Sequence, residues 1–344
     1  MRPLPQPAVA TPTPVRFAPG DRLAALDLGT NNCRLLVVEA ADDGFVVIDS
    51  FARITRLGEG LARHPRLSEA AMARTLAALK VCARIIARHR CAFVRCVATE
   101  ACRRAVNGPE FVRRVRKVTG LELEILSPAE EARLAMLGCL PLADPAADRL
   151  LVLDIGGGST DLLWLDRNAS PAEGEPGIPF SLPLGVVTLA ETFGREVDEP
   201  TYARMVDAVH AALERLDLPR PRAEEGGLEM LGTSGTVTTL AALAIGLRRY
   251  DRNRVDGLEL PFATIRVVAE RLRAAGNAGR AAHPCIGRGR ADLVVAGCAI
   301  LDAVHRVWPV TTLKVADRGL REGILAALMG ASLADALRPR AAAA

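Results

Sequence analysis

The chain has 344 residues, half of them hydrophobic and only 3% aromatic, with a formal net charge of +4 and a pI near 8.7. That length favours two domains over one and allows sizeable buried cores. The small aromatic share argues against a stacking platform for single-stranded nucleic acid, and the mild positive charge is not the footprint of a dedicated binder of nucleic-acid polymers.

Residues 1–20 carry Pro3, Pro5, Pro7, Pro12, Pro14 and Pro19 and no apolar core of a signal peptide, so they read as a disordered tail. No apolar run reaches the roughly 20 residues that a membrane span needs. The eight cysteines are scattered and form no Cys-x-x-Cys pair. Together with the missing signal peptide, they point to a reducing, cytoplasmic setting.

Leu23 to Leu26 form an apolar strand that runs into Asp27, then Gly29-Thr30-Asn31-Asn32, then a second strand from Cys33 to Glu39. Asp42-Asp43-Gly44 reads as another turn, and Phe45 to Phe51 as a third strand of the meander. A basic, glycine-bearing loop follows from Arg53 to Gly60. Ser68 is a helix N-cap. Met72, Leu76, Leu79, Ala83 and Ile86 repeat at helical spacing behind it, and Arg88, His89 and Arg90 cap the negative end. The strand 92–99 leads into Glu100-Ala-Cys-Arg103-Arg104. That helix start either presents a guanidinium to a ligand or lies on the surface. A helix at 111–118 is stopped by Gly120, and residues 121–126 form the next strand.

In Ser127-Pro128-Ala-Glu130-Glu131-Ala-Arg133, Ser127 and Glu130 make a capping box, with Pro128 at the first helical position. Glu130 therefore has a structural task and Glu131 does not. The helix dipole favours an ionised carboxylate at Glu131. It is either an exposed helix residue or, beside a cleft, a general base.

The opening pattern then returns. Leu150 to Leu153 run into Asp154, followed by Gly156-Gly157-Gly158-Ser159-Thr160 and the strand Leu162 to Leu165. Laid over the first hairpin without gaps, Asp27 falls on Asp154, Gly29 on Gly156 and Asn32 on Ser159. Two halves with the same hairpin suggest duplicated domains facing one another across a cleft. Successive N–H groups in such turns form a concave anion site. Asp154, and Asp27 by the same superposition, are candidate metal ligands. A linker covers 171–179, a strand 180–184, a helical stretch 185–193 and a long helix 198–216. The strand 228–231 leads into Gly232-Thr-Ser234-Gly235 and a helix to about Leu247. That junction is either a second phosphate site at a helix N-terminus or a plain turn. A buried helix at 291–304 and a strand at 313–315 precede Asp317-Arg-Gly319-Leu-Arg321-Glu322-Gly323, which opens the last helix, ending near Leu337.

Taken in order, Asp27 to Leu36, Ala98 to Arg103, Ser127 to Leu134, Asp154 to Ser159, Gly232 to Gly235, Tyr250-Asp251 and Gly319 to Gly323 cover roughly residues 22–337. This set resembles the exopolyphosphatase / guanosine pentaphosphate phosphohydrolase (Ppx/GppA) family of the actin-like ATPase superfamily, in its short two-domain form. The resemblance implies an α/β fold of duplicated actin-like, RNase H-like domains around a cleft. The first domain would be 21–127 plus a C-terminal helix at about 320–337, and the second 128–319. It implies hydrolysis of terminal phosphoanhydride bonds with release of orthophosphate, on inorganic polyphosphate or on the alarmone pppGpp, with Mg2+ as cofactor. It is compatible with a homodimer.

The roles carried over are Glu131 as catalytic base and Asp154 and Asp27 at the metal. Thr30, Asn31, Asn32, Gly156, Gly157, Gly158, Ser159 and Arg103 fall on phosphates, and Gly232, Ser234 and Gly235 on the nucleotide or polymer. Thr30-Asn31-Asn32-Cys33 departs from the usual Ser-Asn-Ser-Phe. Glu100 stands where a small hydroxyl residue is common and would repel phosphate unless paired with an arginine. A non-catalytic reader of the alarmone or ATP, and a kinase on the same superfold, are the competing readings.

Overall fold

The computed structural model describes residues 17–42, 44–167, 177–220 and 227–331. The first sheet is built from β1 (Arg22–Leu28), β2 (Asn32–Ala41), β3 (Gly44–Ile54), β4 (Phe93–Ala98) and β5 (Leu123–Ile125), in the order β3-β2-β1-β4-β5. Between its strands run α1 (Glu69–His89), α2 (Glu100–Arg104) and α3 (Gly108–Thr119). After α4 (Pro128–Cys139) come β6 (Arg149–Ile155), β7 (Thr160–Asp166) and β8 (Gly177–Leu182) of the second sheet. Then follow α5 (Val186–Phe193), α6 (Glu199–Leu213), β9 (Leu228–Thr233) and α7 (Gly235–Ala244). The chain ends in α8 (Arg252–Val255), β10 (Glu259–Pro261), α9 (Phe262–Ala274), α10 (Gly276–Ala282), α11 (Val294–Val307), β11 (Thr312–Ala316) and α12 (Leu320–Leu328). The second sheet is ordered β10-β11-β9-β6-β7-β8.

The duplication read from the sequence is exact in register. β1 is antiparallel to β2 and parallel to β4; β6 is antiparallel to β7 and parallel to β9. Asp27 faces Arg34 across the first hairpin, and Asp154 faces Asp161 across the second. The Gly29 N–H donates to the Asn32 carbonyl and the Gly156 N–H to the Ser159 carbonyl, each at 2.9 Å.

Both central strands are apolar on both faces, as strands covered on two sides must be. Ala24, Leu26 and Leu28 join a core with Leu76 and Leu79 of α1 and Phe111 and Val115 of α3. Leu23 and Ala25 point the other way, into a core with Leu320, Ile324 and Leu325 of α12. In the second sheet Leu151, Leu153 and Ile155 meet helices α5 to α11, while Leu150 and Val152 meet Met136 and Leu137 of α4.

Helices α4 and α12 thus form the seam. Leu134 belongs to the first domain's core and Met136 to the second's. Their backbones touch: a Cβ on Gly138 would lie 2.0 Å from the Gly319 carbonyl oxygen, and one on Gly323 1.7 Å from that of Leu134.

Several expectations are corrected. Phe17 to Gly20 are not tail: the Phe17 ring packs edge-on against Phe93 at 4.6 Å, and the Gly20 N–H donates to the Ala40 carbonyl. The capping box is half made. Ser127 Oγ accepts from the Glu130 N–H at 3.2 Å, but the Glu130 carboxylate turns to Arg133 at 2.7 Å. Arg88 and His89 hold the Asp49 carboxylate of β3 as well as ending α1. Residues 177–179, read as linker, begin β8. Helix α12 stops at Leu328, and the expected continuation from 332 to 337 lies outside the described residues, as do Asp43 of the second turn, residues 1–16 and 171–176.

No real Cβ fits where α4 and α12 cross. Gly323→Ala should therefore lower the unfolding free energy by about 3 kcal/mol, the upper range for overpacking. A urea titration reads this, and an unchanged midpoint would contradict the crossing.

Candidate active site

A cavity of about 420 Å³ lies between the two hairpins and is lined from both domains. The hairpin tips meet inside it. A Cβ on Gly157 would sit 3.0 Å from Cβ of Thr30, and one on Gly158 2.7 Å from Thr30 Oγ1 and from Cγ of Glu100. Only glycine allows this approach. The turns are also braced from behind. The Asn31 carbonyl accepts from the Thr55 and Arg56 N–H groups, and the Thr30 carbonyl from Gly58. Gly156 and Gly157 carbonyls accept from Val186 and Val187 at the start of α5. Thr30, Asn31 and Ser159 are buried, and Asn32 and Gly156 to Ser159 line the cavity as expected.

Asp27 on β1, Asp154 on β6 and Glu131 in the first turn of α4 line this cavity, and Asp161 on β7 acts on Asp154 and Glu131 by its charge. Burial pushes Asp154 up to about 7, with Asp161 and Asp27 adding repulsion and Arg34 opposing it. Burial likewise raises Asp161 to about 6 and moves Asp27 upward. The sequence favours an ionised Glu131 on helix-dipole grounds. The structure reverses that emphasis: burial and then the charge of Asp161 raise Glu131 well above the usual carboxylate range, against the pull of Arg103. A base with such a raised proton affinity is better matched to neutral pH than an exposed glutamate.

Arg103 is not placed on the cavity wall. Its Nη1 donates to Glu131 Oε2 at 3.0 Å and to the Leu126 carbonyl at 2.7 Å, and its Nη2 to Glu100 Oε2 at 2.8 Å. Its fork thus bridges two carboxylates that line the cavity. The pairing also answers the question of Glu100, which does have an arginine. The positive wall comes instead from Arg34, Arg290 and Arg321, which the motif reading missed. Burial lowers Arg290 and Arg321, and the charge of Arg34 lowers both further. Arg34 had a readable signal, since it stands across from Asp27 in the register where the second hairpin carries Asp161. Arg290, in the loop before α11, had none.

Gly232 is also corrected. It lies within β9, where a Cβ would meet Leu313 at 3.1 Å and Val237 at 3.2 Å, and it does not reach the cavity. Ser234 and Gly235 do. Ser234 takes a φ of 103° and its hydroxyl accepts from the Thr236 N–H at 3.3 Å, so the N-terminus of α7 opens onto the cleft. Arg318, which also lines it, is held by Asp256, and Tyr250 hydrogen-bonds Asp317.

Among the described residues no three or more His, Cys, Asp or Glu side chains form a metal cage. One oxygen of Asp161 and the amide oxygen of Asn31 are buried without a hydrogen-bond partner. Hard oxygen donors and orphaned acceptors in a phosphate cleft suit Mg2+, which keeps several waters and takes one or two carboxylates plus substrate oxygens.

Comparison with known proteins agrees with this geometry. Residues 36–331 match the Ppx/GppA phosphatase family. The chain is 31% identical over 326 residues to Exopolyphosphatase 2 of Mycobacterium tuberculosis, covering 90% of this chain and 99% of that one. It is 31% identical to Exopolyphosphatase 1 of Mycobacterium leprae over 314 residues, 88% of each. The crystal structure of the Aquifex aeolicus Ppx/GppA family member superposes with a TM-score of 0.73 at 30% identity, covering 89% of this chain and 96% of that one. An exopolyphosphatase from Cytophaga hutchinsonii shares the fold with a TM-score of 0.80 at 24% identity, covering 91% and 99%.

Gly158→Ala tests the touching hairpins. The added methyl must push the two turns apart by a fraction of an ångström. Phosphate release should fall about a hundredfold, as misplacement of reacting groups does, with the thermal unfolding midpoint little changed. Full activity would show that the turns need not touch.

Proposed function

The chain belongs to the Ppx/GppA phosphatase family and is a phosphoanhydride hydrolase, and we propose that its substrate is inorganic polyphosphate, shortened from the end with release of orthophosphate. One observation carries this reading. A buried carboxylate of raised proton affinity, Glu131, faces two glycine turns in a cleft walled by Arg34, Arg290 and Arg321.

The terminal phosphate rests in the turns of Thr30 to Asn32 and Gly156 to Ser159. Glu131 orients a water in line with the phosphorus and takes its proton as the new O–P bond forms. The bridging P–O bond breaks, and the shortened chain leaves with its charge on the bridging oxygen, beside the arginines. Phosphoryl transfer of this kind is mostly positioning and electrostatics, which rigid turns and buried guanidinium groups supply. Asp154 and Asp27 would hold a magnesium ion, which when bound offsets charge on the phosphate oxygens.

One feature favours pppGpp as the alternative substrate: Tyr250, an aromatic side chain on which a base could stack, lines the cleft together with Arg290. A pure binder would need no base, which argues against the regulatory reading. No helix among the described residues is long and apolar enough to cross a membrane, and all eight cysteines are free thiols, in keeping with a cytoplasmic enzyme.

Phosphate release from long-chain polyphosphate and from pppGpp, measured side by side, tests the proposal. Polyphosphate should be the faster substrate, and a preference for pppGpp would move the chain to the other branch. Glu131→Gln should lower release by roughly a thousandfold, within the range for a positioned general base. Because burial raises Glu131, its basic form is lost as pH falls through a midpoint well above the ordinary carboxylate range. Wild-type activity should therefore decline on the acid side at a higher pH than an ordinary carboxylate would set. Asp154→Asn should raise the magnesium needed for half-maximal rate by at least about tenfold, and an unchanged requirement would remove Asp154 from the metal.

A further inference from the structure

The loop that carries Arg290 is held on both sides of that residue, and one of the holders comes from the other domain. Gly289 precedes Arg290, and its carbonyl accepts from Arg56 Nη2 at 3.3 Å. The same nitrogen donates to Asp292 Oδ1 at 3.0 Å, two residues beyond Arg290. The Asp292 side chain is only 7% exposed, and its other oxygen is paired with Arg195 at 3.3 Å. The Ala291 carbonyl accepts from Nε of the buried Arg280 at 2.7 Å. Gly289 also lies flat against the first domain: a Cβ there would fall 2.4 Å from Cδ1 of Ile54, at the end of β3. Arg290 itself runs past the start of α7, its guanidinium carbon 3.5 Å from where a Cβ on Gly235 would stand.

Arg56 has a second hold, through its backbone. It takes a φ of 48°, a left-handed conformation uncommon outside glycine. Its N–H and that of Thr55 both donate to the Asn31 carbonyl, at 3.0 and 2.9 Å. One residue thus braces the first phosphate turn from behind and reaches across to the loop of Arg290. We propose that Arg56 is a positioning residue that sets Arg290 of the second domain in place against the phosphate turn of the first. The inference rests on Arg290 meeting the substrate. Arg56 is not among the residues lining the cavity, so it acts through the loop. A long side chain on a free loop must be ordered at each binding event, and that ordering weakens binding. With Gly289 and Asp292 pinned, Arg290 meets the polyanion from a backbone already fixed. The pinning ion pair is mostly buried, so salt screens it less than a surface pair.

The test is a double-mutant cycle on long-chain polyphosphate, with Arg56→Met, Arg290→Ala and the two combined, each followed as kcat and KM of phosphate release. Arg56→Met keeps the stem and the backbone brace on Asn31 and removes the side-chain donors. KM should rise about fivefold, the size expected from ordering one long side chain and its loop, and kcat should change less. In the Arg290→Ala background the same substitution should leave KM where it is, because the loop no longer carries a cation to place. Asp292→Asn weakens the hold from the other side. It should raise KM in the same direction, again only while Arg290 is present, and it carries the test if Arg56→Met does not fold. Unchanged KM in Arg56→Met and Asp292→Asn, with KM raised by Arg290→Ala, overturns the positioning role alone. Effects that multiply in the double variant overturn it too, because Arg56 would then act on the substrate or the fold without Arg290. An unchanged kcat and KM in Arg290→Ala instead removes Arg290 from the substrate, and the inference falls with that reading.

Discussion

The structure depends on two helices whose backbones touch. Ordinary helix pairs pack 8–10 Å apart with side chains between them. At Gly138 and Gly323 there is no room for a single Cβ, because the opposing carbonyl oxygens of Gly319 and Leu134 lie where it would stand. This crossing fixes where both helices begin. Helix α4 starts three residues before Glu131, and α12 starts at Leu320, one residue before Arg321. Glu131 and Arg321 are thus carried into one cleft on helix N-termini whose mutual position is set by backbone contact. Thr233 adds a strap: its hydroxyl donates to the Arg318 carbonyl at 2.6 Å, tying the end of β9 to the start of α12.

The electrostatics of the cleft follow from that enforced proximity. Asp27, Asp154, Asp161 and Glu131 are all displaced upward, and Arg290 and Arg321 downward. In each case burial is the largest cause. Burial thus works against the charged forms of both signs in the same cleft. A magnesium ion would favour ionised aspartates, and a phosphate chain would favour the charged guanidinium groups.

The duplicated hairpin was legible because each half repeats one pattern at one spacing, and glycine, hydroxyl and carboxylate positions transfer directly into register. Glu131 was singled out by the family resemblance, since the capping argument that set it apart from Glu130 fails where the Glu130 carboxylate turns to Arg133. What escaped the sequence is what depends on long-range partners. Arg103 looked available until Glu100 and Glu131 were found on either side of it. Arg290 lies in a loop without periodicity and becomes visible only when the Gly235 turn is folded beside it. Helices α8 to α10 went unread because their short apolar runs are interrupted by arginines, and Arg280 is buried only through carbonyls of Leu272 and Ala291 brought to it by the fold.

The domains are joined by two unlike sets of contacts, and the difference decides how the cleft can move. The α4–α12 seam is apolar and glycine-tight, and separating it would expose Leu134, Ile324 and Leu325 to water. The second set is polar. Arg56 reaches Asp292 at 3.0 Å and the Gly289 carbonyl, Arg195 lies 3.9 Å from Glu59, and the Gly60 N–H donates to Glu191 at 2.7 Å. Water can replace hydrogen bonds and partly exposed ion pairs at small net cost, whereas it cannot replace buried apolar contact. In any opening of the cleft the polar contacts would exchange with solvent while the seam persisted as the pivot.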